Sequence, residues 1–85
     1  MAPVARRWRD DYLDGRRLMQ EPDPDLEQAY DLLTRSVRSF PDSPVAADAH
    51  LLRARILDAG GRADEAEETR RRVREFYAGG RRTRQ

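Results

Sequence analysis

Four sets of helix breakers punctuate this chain, and between them the apolar residues fall on helical spacings. "QEPDPD" (20–25) and "FPDSP" (40–44) each carry two prolines, and Gly60-Gly61 and Gly79-Gly80 add two glycine pairs. Proline lacks the amide hydrogen that an interior helix position needs, and glycine ends a helix by taking left-handed geometry. Leu26, Tyr30, Leu33, Val37 and Phe40 recur at intervals of four, three, four and three, with Ala29 and Leu32 widening the stripe. Val45, Ala49, Leu52, Ile56 and Ala59 repeat that rhythm, with Leu51, Ala54 and Leu57 adding breadth. Val4, Trp8, Tyr12, Gly15 and Met19 do the same in the first segment. This is the period of one helix face, and no segment alternates with the period of two that a strand requires. The expectation is an all-α fold of four helices.

The boundaries follow from capping chemistry. Asp23 with Pro24, and Ser43 with Pro44, each read as an N-cap followed by proline in the first turn. In the first helix the residues between the apolar ones, Arg6, Arg7, Arg9, Asp10, Asp11 and Asp14, form a wet side. There Arg6–Asp10 and Arg7–Asp11 are neighbours along the helix. The third helix is apolar over much of its circumference, which places it between two neighbours. The fourth offers only Ala63, Ala66, Val73, Phe76 and Tyr77 to the interior, with Glu67–Arg71 and Glu68–Arg72 pairs outside. A single domain over residues 1–78 is expected, followed by a disordered basic tail at 79–85.

The second and fourth helices align when Ala29 is set on Ala66, and the first and third when Gly15 is set on Ala54 and Leu18 on Leu57. Small residues thus recur at matching places in the two helix pairs. In "GRADEAEE" (61–68), Gly61 makes the turn and the acids sit at the positive end of the new helix's dipole. Here the chain resembles the tetratricopeptide repeat family, a 34-residue helix–turn–helix unit with a small residue where its two helices cross, and the resemblance implies that Ala66 leaves room for its neighbour. "ADAHLLRARILDAGGRADEAEETRRRVREFY" carries the resemblance most clearly, through Ala54, Leu57, Gly61 and Ala66. The junction "SFPDSPVAADA" is similar to that of bacterial envelope members, such as the lipoprotein of the outer-membrane barrel-assembly machine and the Tol–Pal coordinator. The resemblance implies two tandem helical hairpins, a short right-handed solenoid with one repeat at about 4–41 and the other at about 44–78. It also implies a bacterial scaffold that binds proteins.

Site chemistry is sparse. With no cysteine there is no disulfide and no thiolate ligand. His50 is the only histidine, on the rim of the third helix beside Ala49 and Leu51, and reads as a partly exposed helix residue and not as a general base. The acidic runs Asp10/Asp11/Asp14 and Asp64/Glu65/Glu67/Glu68 lie among arginines and lack the loop and turn glycine of a calcium site, so they read as solvated helix faces. No glycine loop cradles a phosphate. The expectation is therefore no catalytic residue, no cofactor, no metal and no enzymatic activity. Without an apolar run of membrane-span or signal-peptide length, the chain as written predicts a cytoplasmic protein, or a periplasmic one if a leader has been removed.

A partner protein, or a second copy in a homo-oligomer, is the expected ligand. Each hairpin of a solenoid buries its apolar face against a neighbour, and two repeats leave open ends. Trp8, Tyr12, Leu13 and Arg16 on the first helix, and His50 and Arg53 on the third, are the candidate contacts. The last two lie on the side that is concave in the family. The formal net charge of +1 disfavours nucleic acid as a partner of the whole chain. All seventeen basic residues are arginine, however, and they concentrate near the C-terminus. Arg70, Arg71, Arg72, Arg74, Arg81 and Arg82 form an alternative basic patch for nucleic acid or an acidic protein surface.

Overall fold

The computed structural model describes residues 9–78, and all the regular structure among them is helical. Helix α1 spans Asp10–Met19, α2 Leu26–Ser39, α3 Ala46–Ala59 and α4 Ala63–Val73, and a π-helical turn, Arg74–Ala78, closes the series. Consecutive helices pack on one another, α1 on α2, α2 on α3 and α3 on α4, as two hairpins in tandem. Val4, Trp8 and the 79–85 tail lie outside the described residues.

The two helix crossings fall at the small residues. A Cβ on Gly15 would come within 2.9 Å of Leu33 Cγ and 3.1 Å of the Ala29 carbonyl oxygen, so α1 and α2 approach as closely as their backbones permit. In the second hairpin Ala54, Leu57 and Ala66 form their own buried cluster. The larger core joins Tyr12, Ala29, Leu33, Val37, Ala46, Ala49, Leu52 and Ile56 across α1, α2 and α3. Tyr30 touches both clusters and links the hairpins. The α3–α4 turn is built as the glycine pair implies. Gly61 takes φ +79°, the Arg62 amide donates to Leu57 O at 2.8 Å, and the Gly61 amide donates to Asp58 O at 3.1 Å. This double closure satisfies two carbonyls that a helix end leaves open.

Several local expectations are corrected. The N-cap of α2 is Asp25, not Asp23, and its Oδ1 accepts from the Gln28 amide at 3.1 Å. Pro24 therefore stands before the helix, not in its first turn. Ser43 does not cap α3: Val45 holds the cap position, and the Ser43 backbone carbonyl accepts from Ala46 N at 3.1 Å. The Ser43 hydroxyl is left buried without a hydrogen-bond partner among the described residues. Phe40 ends α2 at φ −136°, as a residue preceding proline is driven out of helical geometry.

Asp11, expected on the wet side of α1, is buried, and its Oδ2 accepts from Arg35 Nε of α2 at 3.2 Å. Leu51, Ala59 and Ala63, expected to face inward, are exposed. Glu67 pairs with Arg70 and Arg74, while Arg71 turns to Glu68 and Glu75. The Glu68–Arg72 pair forms as expected at 3.1 Å.

Candidate interaction groove

One face of α3 carries His50, Arg53 and Leu57, one residue per helical turn, with Leu57 buried and the other two half-buried. Helix α2 supplies Tyr30 beside them, α4 supplies Thr69, Arg72 and Val73, and the π-helical turn supplies Phe76 and Tyr77. Together they line a groove of about 820 Å³ with Asp42, Asp64, Glu65 and Glu68 also on its lining.

Arg53 organises the floor. Its Nε donates to Thr34 Oγ1, its Nη2 to the Tyr30 hydroxyl and its Nη1 to His50 Nδ1, each at 3.0 Å. The guanidinium carbon lies 4.9 Å from the Tyr30 ring centroid, so the cation also rests on an aromatic face. Arginine has no acceptor, so His50 Nδ1 must accept, which puts the neutral ring's proton on Nε2. Burial, and then the adjacent Arg53 charge, hold the His50 pKa below its ordinary 6.5. The His50 ring lies 6.0 Å from that of Tyr77, tilted by 42°. Tyr77 in turn donates to the Pro41 carbonyl at 3.2 Å, fastening the end of the chain to the α2–α3 turn. Burial and the Asp42 charge push the Tyr77 hydroxyl pKa up.

The π-helical turn decides which ring goes where. A π turn widens the helical ladder to i→i+5 spacing and so rotates every residue that follows. The expectation that both Phe76 and Tyr77 pack inward is corrected: Tyr77 is half-buried, whereas Phe76 is 76% exposed at the groove.

The candidate contacts do not form one surface. Tyr12 is 5% exposed, a core residue whose hydroxyl donates to Asp48 Oδ2 on α3, and burial, then Asp48, raise its pKa. A residue so enclosed has no ring face to offer a partner. Leu13, 46% exposed, and Arg16 lie on α1 at a shallower depression with Asp10, Asp14, Arg17 and Gln20. His50 and Arg53 stand in the groove, turned toward α2 and the π-helical turn. Trp8 falls outside the described residues. Tyr30, Phe76, Tyr77 and Asp42 were not among the expected contacts. Adjacent aromatics on one helix were the available signal, since neighbours about 100° apart span the full width of an ordinary buried stripe.

The C-terminal arginines are engaged. Arg70 pairs with Asp58 at 2.9 Å and Glu67 at 3.3 Å, Arg71 with Glu68 at 2.6 Å and Glu75 at 2.9 Å, and Arg74 with Glu67 at 3.5 Å. Hydrogen bonds from Arg71 and Arg72 hold the Glu68 carboxyl below its usual range. Arg81 and Arg82 lie outside the described residues. Among the described residues no group of three or more His, Cys, Asp or Glu is placed to hold a metal ion, and no helix is long and apolar enough to cross a membrane.

Comparison with protein-family models, curated proteins and solved structures finds no match to this chain.

Proposed function

We propose that this chain is a tetratricopeptide-like adaptor, a non-enzymatic scaffold subunit of a cytoplasmic bacterial complex that binds another protein, or a second copy of itself, through its helical surface. The observation that carries the reading is Phe76, a large apolar ring 76% exposed at a groove that also presents Tyr30, His50 and Tyr77. Aromatic side chains at concave surfaces are frequent anchors of protein interfaces, because a partner buries much apolar area with little loss of side-chain freedom. The floor supports the same reading, since Arg53 is already bonded to three neighbours and would need no rearrangement on binding. Within the groove His50 is bonded to a cation and set in tilted contact with a phenol ring, a setting that favours positioning over proton transfer.

Binding of nucleic acid through Arg70, Arg71, Arg72, Arg74, Arg81 and Arg82 draws less support. The four of these that are described already engage carboxylates, and phosphate contacts would first have to break those pairs.

A photoreactive amino acid placed at position 76 in cells, with position 27 on exposed α2 as control, tests the adaptor reading. A discrete protein adduct at 76 and none at 27 is expected. Equal labelling at both positions, or an adduct only with nucleic acid, would remove it.

A further inference from the structure

The groove has a sign as well as a shape. Its lining holds four carboxylates, Asp42, Asp64, Glu65 and Glu68, against two cations, Arg53 and Arg72. Glu65 is occupied by Arg62 at 2.7 Å, and Glu68 by Arg71 and Arg72. Asp42, on the α2–α3 turn, and Asp64, in the first turn of α4, are exposed and carry no ion pair among the described residues. Arg53 keeps its charge, because Thr34, the Tyr30 hydroxyl and His50 are neutral partners, but it is one cation against these two carboxylates and the lining stays net negative. The surrounding body has the same sign, with sixteen carboxylates against twelve arginines in residues 9–78. A negative field around an apolar cleft draws in cations and repels carboxylates.

We propose that the groove takes a protein segment in which an apolar side chain is flanked by lysine or arginine. The apolar group packs on Phe76 and Tyr77, and the flanking cations meet Asp42 and Asp64. This rests on the groove being a docking site, and it adds the chemical class of the occupant. A segment rich in carboxylates could use the N–H groups of Arg53 that its three acceptors leave over, but Asp42 and Asp64 on the same lining would repel it.

Two fluorescein-labelled synthetic peptides of equal length and identical leucine spacing test the assignment, one filled with lysine and the other with glutamate. The lysine peptide is expected to bind about tenfold more tightly, with affinity falling as salt is added. The Asp42→Asn/Asp64→Asn double variant should weaken it about fivefold, on the order expected for two rim charges. Phe76→Ser should weaken it further, and amide shifts on titration should gather at Tyr30, Leu57 and Tyr77. All three altered side chains are exposed, and unchanged circular dichroism melting would show that folding is retained. Equal binding of both peptides, tighter binding of the glutamate peptide, or indifference to the aspartate changes would overturn the cation preference. If position 76 still crosslinks to a protein in cells, any of these results leaves the adaptor reading standing. A concentration-dependent dimer abolished by Phe76→Ser would assign the groove to a second copy and overturn the proposal.

Discussion

Tyr12 and Asp48, thirty-six residues apart, are joined by a hydrogen bond from the phenol to the carboxylate that ties α1 of the first hairpin to α3 of the second. Helix α1 packs chiefly on α2, so this bond adds a direct tie from α1 to α3 beside the α2–α3 packing that joins the hairpins. Tyr12→Phe keeps the ring and removes the bond, and should lower unfolding free energy by about 1–2 kcal/mol in urea titration. The folded state favours the protonated phenol, because its pKa is raised. It therefore binds more protons than the unfolded chain above pH 10, and stability should fall there as pH rises. Tyr77, whose pKa is also raised, adds to the same fall, so Tyr12→Phe should lessen the alkaline slope without abolishing it.

At the α1–α2 crossing, Gly15 has no room for a methyl group. The nearest obstacles are a buried leucine and a backbone carbonyl, and the carbonyl cannot swing aside. Gly15→Ala gains about 1 kcal/mol of helix propensity but incurs overpacking of about 1–3 kcal/mol. Thermal unfolding should record a net loss of about 1 kcal/mol, and Gly15→Val should lose more.

The glycine pair after α3 separates conformational cost from steric cost. A Cβ on Gly61 would meet nothing within 4 Å, but its φ of +79° is strained for any L side chain. Gly61→Ala should cost about 1–2 kcal/mol. Gly60 has ordinary φ −87°, and a Cβ there would sit 3.6 Å from the Ile56 carbonyl oxygen. Gly60→Ala should be near neutral, and equal losses at both positions would contradict this account.

His50 should make the fold acid-sensitive. Its folded pKa lies below 6.5, so between that value and its folded pKa the unfolded chain binds the additional proton. Stability is present in full above about pH 6.5 and declines as pH falls through the folded pKa. Protonation also removes the Nδ1 acceptor from Arg53. Chemical denaturation between pH 7.5 and 5 should show this slope, and His50→Gln should flatten it.

The sequence disclosed the helices because each carries a hydrophobic stripe that only one period satisfies, and it disclosed the crossings because only small residues allow them. Ala29 and Ala66 are both fully buried where their alignment placed them. Caps were harder to read. Asp23 and Asp25 both have the side chain an N-cap needs, and Ser43 competes with its own backbone carbonyl for the closing bond of its turn. The groove was only half legible. His50 and Arg53 were recognisable from α3, but the position of Phe76 depends on a widened turn that the surrounding residues do not announce. Tyr12 was legible as part of the first helix's apolar stripe, but nothing near it announces an acidic partner thirty-six positions away that draws its hydroxyl inward.

The widened turn at Arg74–Ala78 has a mechanical consequence. None of Arg74, Glu75, Phe76 and Tyr77 is fully buried, and Tyr77 fastens the turn to the rest of the molecule by packing against the larger core, bonding the Pro41 carbonyl and meeting the His50 ring. Any shift of that groove wall has to give up the contacts that Tyr77 makes with the core, the Pro41 carbonyl and the imidazole.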